Sequence, residues 1–220
     1  MRTSLAKEAL TSLLAMLVFT VALGLIFPLA LTGIAQVAFN NAANGSQVTS
    51  NGKIVGSKLI AQPFTVPVLD AHGKQKVDAD GNDLTKPDVR YFQPRPSQTG
   101  YSPAGTSFNN AGPNNLATRD MLVANVEAYL QLESPYNSSL NAKNVPVDAV
   151  AGSASGVDPH ISRANARIQA ARVASRRGFT PQRVVQLIDA NTDGRWLGLI
   201  GEPGVNVLKL NLALDKEGAR

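Results

Sequence analysis

Six consecutive residues have the types and spacing of the first half of a calcium-binding loop. They are residues 189–194, Asp-Ala-Asn-Thr-Asp-Gly, and they follow a predicted helix, as the loop of an EF-hand does. That loop also needs a bidentate glutamate at its twelfth position, where this chain has Ile200. We therefore interpret the run as the turn that ends a helix, with calcium binding as the alternative. A second acidic run, residues 78–83, lacks a glycine at its sixth position and is interpreted as a solvated loop.

The two histidines, His72 and His160, are the next candidates for chemistry, and the chain has no cysteine. A zinc site would need His160 and carboxylates at ligand spacing, which the sequence does not show. Serines are frequent enough for a Ser-His-Asp triad, but there is no Gly-x-Ser-x-Gly elbow and no glycine-rich phosphate-binding motif. His160 is predicted to be a hydrogen-bonding structural residue at a helix start, with a metal ligand or a general base as the alternative.

Basic residues concentrate between residues 163 and 183. On a helix, the first two arginines of this group share one flank and the next two share another, so they border an apolar stripe. We interpret them as solvated side chains whose aliphatic stems cover that stripe, and a patch that docks on acidic protein or lipid headgroups is the alternative. The arginines are Arg163, Arg167, Arg172, Arg176, Arg177 and Arg183.

A long apolar segment at the amino terminus must position everything that follows. No charged residue occurs between Ala9 and Phe39. A helix needs roughly 20 apolar residues to cross a hydrocarbon core of about 30 Å, and residues 10–31 supply them. A cleaved signal peptide would have a shorter apolar core of about 7 to 15 residues and a small-x-small cleavage site. An uncleaved transmembrane anchor over residues 10–35 is therefore predicted.

The basic residues around this segment predict its orientation. Arg2 and Lys7 precede it, and the next basic residue is Lys53, so residues 1–9 are expected in the cytoplasm of a bacterium. The protein would be a single-pass protein of the inner membrane with its main domain in the periplasm or outside the cell. A net charge of +5 and a pI near 9.6 would suggest nucleic acid in the cytosol, but this topology excludes it. Ordinary solubility, or attraction to anionic lipid and protein surfaces, is the better explanation.

The fold class predicted from these observations is one transmembrane helix followed by one mixed α/β (α+β) extracytoplasmic domain. Residues 36–53 form a polar linker, and residues 54–220 form the domain, with a mobile surface excursion at residues 66–87. Residues 98–117 are rich in Gly, Asn, Ser and Pro and predict a long loop.

Helices are predicted where apolar residues recur every three or four positions. One covers residues 117–132, a second begins at a cap by Asp158 or Ser162 and stops at Gly178, and a third begins at the Thr180-Pro181 pair. The second helix is expected to turn a narrow stripe inward: Ile161, Ala164, Ile168, Ala171 and Ser175. Strands are predicted at residues 54–64, 145–149, 196–200 and 205–214.

Five segments in the same order resemble the KdpC family, the C subunits of the bacterial potassium-transporting Kdp P-type ATPase. They are residues 56–62 (GSKLIAQ), 91–97 (YFQPRPS), 145–148 (VPVD), 156–162 (GVDPHIS) and 201–211 (GEPGVNVLKLN). The resemblance covers nearly the whole chain. Ala61 stands where the family has glycine, residues 66–86 look like an insertion, and residues 108–116 match only loosely.

The resemblance implies an accessory subunit without catalytic residues, metal or directly bound cofactor, in a complex that uses ATP to import K⁺. The implied partners are a channel-like subunit (KdpA), a P-type ATPase subunit (KdpB), a one-helix subunit (KdpF) and membrane lipid, with no nucleic acid. The family is described as a catalytic chaperone that raises the ATP affinity of the pump. The predicted topology disagrees with direct ATP contact, because ATP is cytoplasmic. A membrane-anchored periplasmic enzyme or binding module is the alternative.

Two sets of residues follow as candidates for structural or interface roles. In the anchor, small residues and one proline are expected to pack against the channel-like subunit: Ala15, Ala22, Gly24 and Pro28. In the domain, the positions that carry the family motifs are Gln62, Phe92, Gln93, Pro94, Arg95, Pro96, Ser97, Asp158, Pro159, His160, Ser162, Gly201, Glu202, Pro203, Asn206 and Asn211.

Overall fold

A computed structural model describes residues 4–108, 110–112 and 114–218 and divides the chain into two compact units. The first unit ends at Gln47 and the second begins at Val48. Arg2, one of the two basic residues used to predict orientation, lies outside the described residues, as do residues 219 and 220 of the predicted domain.

The first unit is dominated by one apolar helix that runs without interruption from Leu5 to Ala38. The helix has 34 residues, and an 18-residue window within it has a mean hydropathy of 2.5. Within the described ranges it is the one helix long and apolar enough to cross a membrane. At 1.5 Å per residue it is about 50 Å long. The helix extends beyond both ends of the predicted anchor, residues 10–35. Its first part is α1 (Leu5–Val21) and its last part is α2 (Phe27–Ala38).

A single π-helical turn, Ala22–Ile26, joins α1 to α2. The backbone N–H of Phe27 donates to the carbonyl of Ala22, five residues earlier. Pro28 follows directly and has no N–H to offer the carbonyl of Gly24, so a widened turn accommodates it without breaking the helix.

The expected polar linker, residues 36–53, contains regular structure. It includes the end of α2, the short helix α3 (Asn40–Ala43) and the strand β1 (Gln47–Ser50). β1 pairs with β2 (Lys53–Ser57). The strand predicted over residues 54–64 is therefore shorter than expected and ends at Ser57.

The excursion at residues 66–87 is an exposed hairpin. β3 (Thr65–Pro67) and β4 (Thr85–Pro87) pair antiparallel, with Val66 opposite Lys86. The acidic run at 78–83 is a turn of this hairpin, in which Asp78 Oδ1 accepts the backbone N–H groups of Asp80 at 2.9 Å and Asn82 at 2.8 Å. These backbone hydrogen bonds lower the pKa of the exposed Asp78 carboxyl.

Helices make up most of the regular secondary structure in the described part of the second unit. They are α4 (Leu116–Glu133), a 3₁₀ turn (Ser134–Tyr136), α5 (Val147–Val150), α6 (Arg163–Arg177), α7 (Pro181–Ala190) and α8 (Val207–Gly218). The predicted caps are confirmed: the hydroxyls of Ser162 and Thr180 accept N–H groups from the first turns of α6 and α7, and Gly178 ends α6 at a φ of +69°.

Three predicted strands are wrong. Residues 147–149 of the predicted strand lie in α5, which begins after Pro146, an N-cap with an extended backbone (φ −62°, ψ 143°). Residues 196–200 form a tight turn closed by an isolated bridge between Trp196 and Ile200. Of residues 205–214, the first two belong to the strand β7 (Gly204–Asn206). The others belong to α8, so this segment is mostly helical.

The sheet of the second unit has three short antiparallel strands in the order β5, β7, β6. β5 is His160–Ile161, β6 is Thr192–Asp193, and β7 lies between them. The sheet and helices α6, α7 and α8 enclose one hydrophobic core. Its buried members are Phe92, Ile161, Ala166, Ala170, Val173, Ala174, Val184, Leu187, Ile188, Val205, Val207, Leu210 and Leu214.

The inner face of α6 differs from the predicted stripe. Ala164 and Ser175 are exposed, and Ile168 and Ala171 are half-buried. Three of the buried residues of the helix are polar, namely Asn165, Gln169 and Arg172. The others are Ala166, Ala170, Val173 and Ala174. The prediction failed because it counted apolar residues only, whereas polar side chains lie inside when they find hydrogen-bond partners.

Candidate functional site

The segment of residues 92–97, which carries the Phe-Gln-Pro-Arg-Pro-Ser motif, is held by side chains that hydrogen-bond to its backbone. Asn211 on α8 accepts the N–H of Phe92 at 2.9 Å and donates to its carbonyl at 3.0 Å. Gln169 on α6 does the same to Gln93, at 2.7 and 3.1 Å. The two amides therefore attach the segment to two helices, and Phe92 is fully buried in the core.

The side chain of Gln93 extends this network to the neighbouring strand. Its Nε2 donates to the carbonyl of Phe64 at 2.9 Å and to that of Asp88 at 3.2 Å. A single glutamine side chain thus connects residues 88–93 to Phe64, which lies 29 residues before Gln93.

Arg172 is the charged centre of the network and is fully buried. Its guanidinium donates to the carbonyls of Val89 at 2.7 Å and Tyr91 at 2.9 Å and to Gln169 Oε1 at 3.1 Å. Its Nε donates to Glu133 Oε1 at 2.9 Å, and both side chains of this ion pair have 0% exposure. The interpretation of Arg172 as a solvated arginine is therefore wrong.

Glu133 keeps one oxygen without a partner: among the described residues, Oε2 makes no hydrogen bond although it is buried. Burial raises the pKa of the Glu133 carboxyl, and Arg172 opposes this effect. The residue lines a cavity of about 240 Å³ together with Pro94, Pro96 and Tyr129. The Tyr129 hydroxyl donates to Asn165 Oδ1 at 2.9 Å, and burial raises its pKa as well.

Four of the other arginines of the 163–183 region are engaged by partners within the second unit. Arg177 donates to Asp215 at 2.8 Å and lies over the ring of Tyr91, with 12% of its side chain exposed. The remaining contacts are ion pairs of Arg163 with Asp189 and of Arg183 with Glu217, and a hydrogen bond of Arg176 with the Tyr136 hydroxyl.

Arg95 and Ser97 connect the segment to the loop of residues 151–158. Arg95 donates to the carbonyl of Gly152 at 3.0 Å and contacts Asp158 Oδ2 at 3.3 Å. The Ser97 hydroxyl donates to the carbonyl of Gly156 at 2.6 Å. A glycine is required at position 156, because a Cβ there would lie 2.9 Å from the carbonyl oxygen of Ser107. The φ of Gly156 is +73°, which also favours glycine.

His160 lies between two carboxylates. Its Nε2 is 3.0 Å from Asp193 Oδ2 and its Nδ1 is 3.5 Å from Asp158 Oδ1. Lys209 Nζ also contacts Asp193, at 3.3 Å. Hydrogen bonds from the protonated ring to the two carboxylates, with Asp158 first, raise the pKa of His160 although partial burial opposes the shift. Burial also disfavours ionisation of Asp158, but His160 and Arg95 outweigh it and lower its pKa.

This arrangement bears on the predictions for His160 and for the calcium-like run. Both ring nitrogens of His160 face carboxylates, so the side chain connects β5, β6 and α8 electrostatically, as a structural residue does.

α7 ends at Ala190, so the helix-ending turn at 189–194 is confirmed. Asp189 and Asp193 of that run are engaged by the cations Arg163 and Lys209. Within the described ranges, no group of three or more His, Asp or Glu side chains has the arrangement of a metal site.

Ser162, Asn206 and Gln62 complete the contacts of the motif residues. The Ser162 hydroxyl donates to Asp148 Oδ1 at 2.7 Å. Asn206 Oδ1 caps α8 by accepting the N–H of Lys209 at 3.1 Å, and its Nδ2 donates to the carbonyl of Lys58 at 2.9 Å. Gln62 lies against Gly56, where a Cβ would come within 2.3 Å of its Oε1.

The last motif residues are Pro159, which contacts the start of α8, and residues 201–203, which lie in a loop. The carbonyl of Pro159 accepts the N–H of Val207 at 3.0 Å, at the start of α8. Gly201 and Glu202 are exposed and Pro203 is half-buried, in the loop before β7. Glu202 pairs with Arg195 at 2.9 Å. The structure therefore brings most motif positions into one connected network but leaves residues 201–202 outside it.

The candidate packing residues of the anchor are separate from this network. Ala15, Gly24 and Pro28 are exposed and Ala22 is half-buried. Ala15 and Ala22, seven residues apart, share one side of the helix, whereas Gly24 and Pro28, four apart, share another. A Cβ on Gly24 would have no heavy atom nearer than Thr20 Cγ2 at 4.0 Å, so this position is open to a close neighbour.

Sequence reasoning missed the buried polar residues Glu133, Asn165, Gln169 and Arg172. A signal was present for the last three, because residues 165, 169 and 172 follow the i, i+4, i+7 spacing of one helix face. Glu133 has no such local signal, since its partner lies 39 residues away.

A family model described as KdpC, the c chain of K⁺-transporting ATPase, matches residues 9–216. A protein of Koribacter versatilis named potassium-transporting ATPase KdpC subunit is 42% identical over 211 residues, which cover 95% of this chain and 94% of the relative. Proteins with the same name from Mycobacterium tuberculosis strain H37Rv and Myxococcus xanthus are 40% and 43% identical. Their alignments cover 96% and 94% of this chain and 98% and 87% of the relatives.

Proposed function

The chain belongs to the KdpC family, the c chains of K⁺-transporting ATPases, and from this membership we propose that it is an accessory subunit of a high-affinity, ATP-driven potassium importer. It assembles and stabilises the subunits that conduct the ion and hydrolyse ATP. The observation that carries the proposal is the extent of the match, since residues 9–216 include both the apolar helix and the folded second unit.

The apolar helix acts as the membrane anchor in this proposal. The amino terminus is cytoplasmic, the second unit lies on the external side of the inner membrane, and the partners are KdpA, KdpB, KdpF and lipid. Ala15, Ala22 and Gly24 allow close approach to the channel-like subunit, because helices in lipid associate through small residues. The length and composition of Leu5–Ala38 support this assignment.

The second unit has a structural role and sits over the external mouth of the channel-like subunit. The motif residue Asn211 and the buried side chains of Gln169 and Arg172 donate to backbone and to other side chains of the same unit. Hydrogen bonds made within the same unit support a role as a rigid scaffold. ATP is cytoplasmic, so any effect of this subunit on the ATP affinity of the pump is transmitted through the assembled subunits.

Affinity purification of the tagged full chain from gently solubilised membranes, with protease treatment of spheroplasts, tests the proposal. We expect a P-type ATPase and a channel-like subunit to co-elute at fixed stoichiometry, and the second unit to be digested from outside. Elution of the chain alone would contradict the subunit role and favour an anchored periplasmic enzyme or binding module. Protection of the second unit in intact spheroplasts would contradict the orientation.

A further inference from the structure

The turn formed by residues 196–200, Trp-Leu-Gly-Leu-Ile, exposes four large apolar side chains. The exposed fractions are 67% for Trp196, 75% for Leu197, 81% for Leu199 and 61% for Ile200. Within the described residues of the second unit, no other stretch of five exposes more than one large apolar side chain. A concentrated apolar surface of this kind marks a site of interaction, because it is costly to leave in water.

The backbone of this apolar turn is closed by hydrogen bonds within the turn itself. Trp196 and Ile200 exchange hydrogen bonds, with N–H to carbonyl distances of 2.8 and 3.0 Å. Leu197 and Gly198 have φ values of +51° and +76°. A positive φ is uncommon for leucine, so the turn holds its apolar side chains in one defined arrangement. A preorganised surface loses little entropy on docking and suits a partner of fixed shape.

The charges around the apolar turn are balanced. Arg195 donates to both oxygens of Glu202, at 2.9 and 3.0 Å. At the neighbouring end of the sheet, Asp193 is paired with Lys209 and His160. Surfaces that insert into anionic bilayers carry a rim of cations that face the headgroups. Here the cations nearest in sequence, Arg195 and Lys209, are engaged by carboxylates, which favours an uncharged protein surface over lipid.

We propose that the apolar turn of residues 196–200 docks into an apolar recess on the external surface of a membrane-embedded partner subunit. This inference rests on the proposed function, since it names the contact through which the second unit is held on the complex. Trp196 and Leu199 supply the main contact area, because large apolar and aromatic side chains at the centre of an interface carry most of its binding energy.

The single tryptophan of the chain reports on this contact directly. We expect Trp196 emission to be shifted to shorter wavelength and shielded from aqueous quenchers in the purified complex, relative to the chain alone in the same detergent. A complex that contains Trp196→Phe, measured in the same way, gives the emission of the partner subunits, and the difference between the two complexes is assigned to Trp196. Unchanged emission and unchanged quenching in the complex would overturn the proposal.

A substitution pair tests the contribution to assembly. Leu199→Asp in the full chain is expected to lower recovery of the partner subunits about tenfold. The control, Leu69→Asp, changes an exposed leucine of the β3–β4 hairpin and should leave recovery unchanged. Circular dichroism identifies a variant that fails to fold, and Leu199→Ser then replaces it. Full recovery with the folded Leu199 variants would refute this inference while the subunit role stands, whereas wild-type chain that elutes alone refutes the subunit role itself.

Reconstitution with brominated phosphatidylcholine distinguishes protein from lipid. Docking on a subunit predicts that brominated acyl chains leave the Trp196 emission of the complex unquenched. Strong quenching by these lipids would show that the turn enters the bilayer and would overturn the proposal.

Discussion

The side-chain amide of Asn211 makes both of its hydrogen bonds to the backbone of Phe92, a residue 119 positions earlier in the chain. Both residues are completely buried. Because the amide replaces the partners that a sheet would have provided, an irregular segment can cross the interior with its backbone polar groups satisfied. The position of residues 92–97 therefore depends on the last helix of the protein.

Asn211→Leu is expected to destabilise the second unit by about 2–4 kcal/mol. The leucine has the same number and branching of side-chain heavy atoms but leaves the N–H and the carbonyl of Phe92 without partners in the interior, at about 1–3 kcal/mol for each group. Denaturant unfolding of the full chain in detergent, followed by circular dichroism, measures the change. Asn114→Leu at an exposed loop position is the control and should stay within about 0.5 kcal/mol of wild type. Equal stabilities for the two variants would contradict the role of Asn211.

Arg172→Met should lower the free energy of unfolding by about 3–5 kcal/mol, because it leaves a buried carboxylate and two carbonyls without their donor. Arg167→Met, on the exposed side of the same helix, removes the same chemical group and should cost less than about 1 kcal/mol. Comparable losses for both variants would mean that the guanidinium of Arg172 has no special importance.

Gly156→Ala is expected to destabilise the chain by at least about 1–2 kcal/mol, because an alanine at a φ of +73° is strained and its Cβ would lie 2.9 Å from a carbonyl oxygen. Gly194→Ala is the matched control, since no heavy atom lies within 4 Å of its Cβ position. Thermal unfolding compares the two. A Gly156→Ala variant as stable as Gly194→Ala would show that the loop adapts.

The stability of the second unit should fall as pH rises through the raised pKa of His160. The protonated ring is favoured in the folded state by Asp158 and Asp193, so its contribution is fully present below the unfolded pKa of about 6.5 and is lost above the folded value. Asp158 and Asp193 have lowered pKa values and remain ionised across this range.

Denaturant unfolding between pH 5 and pH 9 measures this dependence. His160→Gln should flatten the profile, whereas His72→Gln, in the exposed hairpin, should keep the wild-type slope. A slope that survives in His160→Gln would assign the dependence to other groups.

Ala22→Leu is expected to reduce the recovery of partner subunits in the affinity purification, because a larger side chain prevents close approach of a neighbouring helix. Ala9→Leu makes the same change on roughly the opposite side of the helix and should have little effect. The ratio of co-eluted subunits to tagged chain is the measurement. Identical ratios for both variants and wild type would show that this side of the anchor has no packing role.

The sequence alone was sufficient for the features that depend on a few neighbouring residues. The apolar run, the caps at Ser162 and Thr180 and the stop at Gly178 are local signals, because a cap acts within one helical turn. These predictions agree with the structure. The motif segments were likewise visible in the sequence and predicted the family correctly.

Alternating leucines at 208–214 misled the prediction because the same residues also fit a helix. Val207, Leu210 and Leu214 follow the helical spacing and are buried, and Asn206 caps the helix that contains them. The side chain of Asn206 is in turn held by the carbonyl of Lys58, 148 residues earlier.

Only the tertiary structure decided which polar side chains lie inside. Arg172 is buried because Glu133 and the carbonyls of Val89 and Tyr91 surround it, and these partners lie between 39 and 83 residues away in the chain. Burial of a charge is tolerated only where such partners converge. Sequence spacing can place Arg172 on a helix face, but the contacts that make that face an interior one exist only after the chain has folded.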